Sequence, residues 1–390
     1  MRHKKLFHTA GGTLILVFAI YIYSFLSGTR PPLSNVYSVY LGDFSIGFCS
    51  KLLIGEVLSW FRSSFTKEWV TEFLLISTFV IIFLFSAFLC NAYFSSDKKM
   101  RNMLILFFFI FVALPFSITV YNNDFFSFPD IFLLPLLVVT SFTGNKRIIS
   151  FILPFILASG ILIHDCFIFS YMSPCLGIIA YYALKNEKNK KITSTVFVLS
   201  SASCIIMSVY SVFFSINTVK MTYIEMFEYI TKKGNCTISD VIGYLEYYMY
   251  RPDSPNILGS SQIDLMGFFK GLLEYVLDKP TQEEIPTIIF IVPFICIFLY
   301  IWSCCIKKSQ GFSEKLPYIL FALTFLPQVF STIVSGDLTR FFAPMIITQI
   351  TYIFICAKQH DNTFTEVMTK LSKKSFYASV LLIILFANLF

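Results

Sequence analysis

The sequence predicts an all-α, polytopic integral membrane protein of about eleven transmembrane helices, with a cytoplasmic N-terminus, an outer C-terminus and one larger outer loop. Three observations predict it. Of 390 residues, 56% are hydrophobic and only 14% charged, against about 25% charged in a soluble domain. Apolar runs of about 20 residues, enough to cross a ~30 Å hydrocarbon layer, recur along the whole chain. Lys and Arg crowd onto alternate connections between those runs. The runs are continuous and not alternating, so helices and not barrel strands satisfy their backbone in lipid. A water-soluble enzyme is excluded, and any chemistry must be built from loops and helix ends.

The first run, 8–27, follows Arg2, Lys4 and Lys5 and lacks a small-x-small cleavage site after Leu26, so it reads as a retained anchor. Pro31 and Pro32 then open an outer loop, 28–68. Within it Tyr37, Tyr40, Phe44, Phe48, Leu52 and Trp60 mark an amphipathic segment lying in the interface, with Asp43, Lys51 and Glu56 facing water or a cavity. Runs 70–94 and 102–120 flank the inner turn carrying Lys98, Lys99 and Arg101. The outer turn YNNDFFSFPD leads into 126–143, and Lys146 and Arg147 precede 148–164. His164 and Asp165 form a tight outer turn into 167–184, which KNEKNKK separates from 193–216. The large outer loop, 217–285, holds amphipathic helices at about 221–233, 238–250 and 262–278. Runs 286–305 and 316–334 flank Lys307, Lys308 and Lys315, VSGDLTR leads to 341–357, and 375–390 closes a single transmembrane domain.

Nineteen of the 30 basic residues fall on the connections assigned inside, which by the positive-inside rule orients the chain. Eighteen of the 23 acidic residues fall outside or at outer helix ends, which directs the search for functional carboxylates to that face. No basic patch interleaved with aromatics is present, so nucleic acid is not an expected partner. The ten cysteines lie singly with no CxxC, which gives no zinc or iron-sulfur pattern, although Cys49 and Cys236 both fall outside and could pair. Asn235-Cys236-Thr237 formally matches a glycosylation sequon. No Walker motif, GxGxxG, HExxH or GxSxG occurs, and the run centres carry almost no charge and no internal repeat, which disfavours nucleotide-driven and ion-coupled transport.

Asp43 follows Gly42 in an aromatic setting, where an unpaired carboxylate has a raised pKa and suits a general base or metal ligand, or else caps the segment after it. His164 and Asp165 sit at the membrane boundary, where ionisable groups are costly and face protein or a cavity. Asp337 and Arg340, three apart at a helix start, share a face as an ion pair or as an acid beside an anion-binding guanidinium. In the large loop Tyr244, Tyr247, Tyr248 and Tyr250 beside Arg251 and Asp253 could line a carbohydrate groove.

In topology over its whole length, and in the first-loop segment GDFSIGFCSK, the chain resembles bacterial surface-polysaccharide membrane proteins: the GT-C glycosyltransferases and the O-antigen polymerases. GT-C enzymes carry an essential acid in the first outer loop, and Asp43 is the matching position. The polymerases are similar in span count, Phe-rich composition and a sizeable outer loop, and use outer-loop arginines, for which Arg251 and Arg340 are the candidates. The resemblance implies an inner-membrane enzyme, active on its periplasmic or extracellular face, that transfers a sugar from a polyprenyl-phosphate-linked donor to a glycan acceptor in O-antigen or surface-polysaccharide assembly. It implies no nucleotide or redox cofactor, leaves a divalent metal (Mg or Mn) open, and suggests polysaccharide-assembly proteins as partners. The roles that follow are Asp43, His164, Asp165 and Asp337 in catalysis, Arg340, Lys51 and Arg251 at the substrate phosphate, and Tyr247 and Tyr248 at the sugar. A repeat-unit polymerase and a non-enzymatic translocator of lipid-linked sugars are the alternatives.

Overall fold

A computed structural model describes residues 2–26, 40–49, 52–113, 146–164, 167–185, 190–237, 284–329 and 338–387. Among these the structure is all-helical, with no strand. The first half contains α1 (Arg2–Leu26), α2 (Leu53–Ser59), α3 (Lys67–Ser95), α4 (Lys98–Ala113), α5 (Lys146–Ile163), α6 (Ser173–Lys185) and α7 (Lys190–Phe213). The remainder contains α8 (Tyr223–Gly234), α9 (Glu284–Lys308), α10 (Phe312–Leu323), α11 (Leu338–Lys358), α12 (Asn362–Leu371) and α13 (Lys374–Ala387).

Four stretches, Lys5–Leu26, Glu68–Ser95, Lys191–Ser211 and Ile291–Lys308, are long and apolar enough to cross a membrane, and Ile152–Ile163, Phe342–Lys358 and Lys374–Ala387 are shorter apolar helices. Helices thus occupy every apolar run except 126–143, which lies outside the described residues. The helix at the large loop's first amphipathic stretch is α8, while 238–250 and 262–278 lie outside the described residues.

Chain polarity explains the packing. α11 is buried on all sides from Phe342 to Ala357 and forms the axis of the bundle, whereas α1 and α7 present Phe7, Ile15, Phe18, Val198, Ile205 and Ile206 outward. Such contiguous exposed apolar surface has no soluble rationale and matches a lipid-facing rim. α11 packs on α3 and α9, α1 on α3, and α5 and α6 on α7. The polar residues of the axis are hydrogen-bonded within it. Trp302 donates through Nε1 to Gln349 Oε1 at 2.6 Å, and Gln349 Nε2 donates to the Phe321 carbonyl and Thr324 Oγ1, both at 3.2 Å. Phe321 and Tyr352 stack with ring centroids 3.8 Å apart.

Two local features follow from single residues. Pro174 has no N–H, so the Ser170 carbonyl four residues earlier loses its helical donor. The helix answers with a π turn at Ile168–Met172, and Gln328 Nε2 donates to that carbonyl at 2.9 Å. The turn between α3 and α4 is closed by Asp97, whose Oδ1 accepts the Met100 N–H at 2.8 Å. Arg101 there donates to the carbonyls of Ser96 and Phe94 at 2.9 and 3.0 Å, a cation on the C-terminal carbonyls of α3.

Apart from the main bundle core there is a second, smaller one. Tyr40, Leu41, Ile46, Leu52, Leu58 and Phe65 from the first polar loop pack with Val70 and Leu74 of α3 and with Met226 and Ile230 of α8. We refer to this unit as the cap.

Candidate functional site

The cap is built by loops distant in sequence. α8 starts with a full capping box: the Thr222 side chain accepts the Glu225 N–H, and Glu225 Oε2 accepts the Thr222 N–H at 2.7 Å. It ends at Asn235 in the left-handed region, φ 47°. Helical spacing then places Met226, Tyr229, Ile230 and Lys233 on one face, and the two apolar members seat that face in the cap core.

The first loop is stitched to the same region. The Lys220 N–H donates to the Ile46 carbonyl at 2.8 Å, the Phe65 N–H to the Lys233 carbonyl at 3.1 Å, and the Phe48 N–H to Thr218 Oγ1 at 2.8 Å. Tyr210 of α7 donates through its hydroxyl to the Phe48 carbonyl at 2.8 Å. Glycines permit the approach: a Cβ on Gly55 would collide with the Gly42 carbonyl oxygen, and one on Gly47 would lie 2.9 Å from the Thr218 carbonyl oxygen. Glu56 of α2 ties the loop locally, accepting from the Phe44 N–H at 3.1 Å and Trp60 Nε1 at 2.9 Å.

Inside this frame sits Asp43. Its Oδ1 accepts the Ser45 N–H at 2.9 Å, an Asx turn that fixes the carboxylate. Oδ2 accepts the Tyr229 hydroxyl at 2.6 Å and pairs directly with Lys233 Nζ. The two charged side chains are only 4% and 6% exposed. The ammonium also lies 5.7 Å from the centre of the Phe65 ring and 5.8 Å from that of Tyr229, so π faces supplement the Asp43 carboxylate.

Burial taken alone would raise the Asp43 carboxyl, but hydrogen bonds from Lys233, Tyr229 and the Ser45 N–H, with the charge of Lys233, outweigh it and hold the pKa below the usual carboxylate value. Burial and donation to Asp43 push the Tyr229 hydroxyl up to about 12. Asp43 lies inside the cap core and not on the water-facing side of an interfacial segment, because two loops close over it. The raised pKa expected of an unpaired carboxylate in this setting does not arise, because Asp43 is paired.

His164 is buried at the end of α5, its N–H on the Gly160 carbonyl and its own carbonyl accepting the Phe167 N–H at 2.9 Å. α2 packs against α5, so the cap rests on the helix that His164 terminates. Arg340 lies in the first turn of α11. Asp165, Asp337, Lys51, Arg251, Tyr247 and Tyr248 lie outside the described residues. Cys49 and Cys236 both belong to the cap but are not joined in a disulfide, Cys49 donating to the Ser215 carbonyl at 3.2 Å and Cys236 to the Thr231 carbonyl at 3.9 Å. Among the described residues no group of three or more His, Cys, Asp or Glu could hold a metal ion.

Lys233 and Tyr229 were not singled out in the sequence, although a signal existed. A lysine seven residues after Met226 and three after Ile230 lies on the apolar face of an amphipathic helix, where a cation needs a buried counter-charge.

A second buried carboxylate, Asp361, lies at the opposite, basic end. It caps α12 through the Phe364 N–H (3.1 Å), accepts the hydroxyls of Tyr318 (2.6 Å) and Tyr181 (3.0 Å), and pairs with Lys185 at 3.2 Å. These partners saturate its oxygens and join α6, α10 and α12, the geometry of a structural tie.

No family model, no curated protein and no solved structure matches the chain.

Proposed function

We propose that this chain is a polytopic, plasma-membrane glycosyltransferase that uses a polyprenyl-phosphate-linked sugar at the outer face during surface-polysaccharide assembly or modification. Eleven spans with the cap outside are part of the same reading, supported by the alternation of basic residues. The observation that carries it is Asp43, an acid in the first polar loop, kept ionised beside an ammonium and a phenol from the large outer loop.

These groups suit anomeric transfer. The acceptor oxygen bonds to the anomeric carbon as the bond from that carbon to the phosphate oxygen breaks. The acceptor proton passes to Asp43, and the departing phosphate needs a cation. Lys233 serves in both states. At rest it neutralises Asp43, and when donor phosphate takes the ammonium, Asp43 loses its counter-ion. Burial then raises the carboxylate's basicity at the moment a base is required. Arg340 at the start of α11 supplies a second cation in this scheme, and His164 with Asp165 positions the acceptor.

The test is sugar incorporation into surface polysaccharide by cells carrying the native chain, Asp43→Asn, Lys233→Met or the double variant, with membrane abundance measured alongside. The double variant replaces a buried ion pair by a neutral one, which is tolerated structurally, so it is expected to be present and inactive. Normal product from it removes the mechanism. Gel analysis distinguishes the chemistry: a transferase changes decoration without shortening the ladder of chain lengths, a polymerase collapses the ladder to one repeat, and a translocator empties the outer face of both.

A further inference from the structure

At the end of the bundle that the Lys and Arg distribution assigns to the cytoplasm, α9, α12 and α13 diverge around a cleft of about 710 Å³, within the ~300–1,000 Å³ of small-molecule sites. Four ammonium groups line it, Lys307 and Lys308 from the last turn of α9, Lys370 from α12 and Lys373 from the following turn. One carboxylate, Glu366, faces them, and it is engaged by Lys308 at 2.9 Å. The mouth is therefore strongly cationic. The wall below it is apolar, formed by Leu371, Phe376 and Tyr300. Continuing along α13, Leu381, Leu382, Leu385 and Phe386 are exposed, as is Leu299 on α9.

A cationic mouth opening onto an uncovered apolar helix face has the two-part chemistry of one ligand. We infer that this cleft binds the headgroup of an anionic glycerophospholipid of the inner leaflet, with its acyl chains on the exposed faces of α9 and α13. The phosphate diester sits among Lys307, Lys370 and Lys373, while Lys308 stays with Glu366. Basic pockets between membrane helices on the cytoplasmic side are the recognised setting for such headgroups. A free phosphate would meet the same ammonium groups but would leave the apolar faces uncovered, so the lipid is favoured. The inference depends on the membrane reading and is independent of sugar transfer at the cap.

The test uses the full chain, purified in a neutral detergent and delipidated, with lipid adducts counted by native mass spectrometry. Dioleoyl-phosphatidylglycerol, dioleoyl-phosphatidylcholine and the soluble headgroup glycerol 3-phosphate are titrated separately. Phosphatidylglycerol is expected to occupy one saturable site and phosphatidylcholine not to. Each lysine at an anionic lipid contributes about a fivefold factor in affinity, so the triple variant Lys307→Gln/Lys370→Gln/Lys373→Gln should bind roughly a hundredfold more weakly. These side chains are exposed, and the variant retains its fold. The control Lys98→Gln/Lys99→Gln, outside the cleft, should bind as the native chain does. Equal binding of both lipids, an equal loss in the control, or glycerol 3-phosphate binding as tightly as the lipid overturns the assignment.

Discussion

Replacing Lys233 by Met removes one half of a buried ion pair and leaves the other in place. Asp43 keeps the Ser45 N–H and the Tyr229 hydroxyl but loses the ammonium it pairs with in the cap core. Stranding a buried charge costs about 3–5 kcal/mol, which falls on closure of the cap because the bundle core is separate from it. Cys49 reports on that closure: burial pushes its thiol up, and it is tied to the Ser215 carbonyl and near Thr218 Oγ1 at 3.7 Å. With opening and closing fast relative to labelling, the rate of Cys49 alkylation by a membrane-impermeant maleimide should rise roughly 10²–10³-fold in Lys233→Met at neutral pH, up to the rate of an open thiol. The double variant Asp43→Asn/Lys233→Met, with no charge stranded, should recover most of the native protection. Equal labelling of the single and double variants, or no change in either, refutes the view that this ion pair holds the cap shut.

Three further outcomes follow from the same geometry. Because the folded-state pKa of Asp43 is lowered, its contribution is fully present above the unfolded carboxylate value and is lost as pH falls through the folded value. Pepsin cleavage within 40–65 of the detergent-solubilised chain should therefore increase with acidification below about pH 4, and Asp43→Asn should flatten that dependence. Gly55→Ala drives a methyl group into the Gly42 carbonyl oxygen, which is backbone and cannot swing aside. A loss of about 1–3 kcal/mol should appear as faster Cys49 labelling, whereas Gly311→Ala, where a Cβ meets nothing within 4 Å, should leave it unchanged. Gln328→Leu strips the Ser170 carbonyl of its side-chain donor and should lower the thermal midpoint by an amount corresponding to about 1–3 kcal/mol. Adding Pro174→Ala restores a backbone N–H in reach of that carbonyl and should return part of it.

The helices over the apolar runs and α8 were legible because each rests on local chemistry, whereas α12, in the connection between the last two runs, was not expected. Runs such as LLISTFVIIFLFSAFLC are helical wherever water is absent, and Thr66, Asp97, Thr222 and Asp361 cap the helices that follow them. The periodicity that placed Met226, Ile230 and Lys233 on one face of α8 was equally present in the chain. Asp43 drew attention from its setting alone, beside Gly42 among aromatic residues.

What faces what was decided only by the tertiary structure. Asp43 and Lys233 are 190 positions apart, and no period or motif relates two loops whose meeting depends on glycine contacts at Gly47 and Gly55 and on shared apolar side chains. The same long-range closure sets the state of the carboxylate. Sequence alone leaves the sign open, raised for an unpaired acid in apolar surroundings and not for a paired one, and a counter-ion from another loop decides it. Hydropathy likewise could not separate α11, buried around its whole circumference, from α7, largely exposed, since both are apolar and differ only in their neighbours. Local sequence thus determined where helices form, and packing between distant segments determined which of their polar groups became a site.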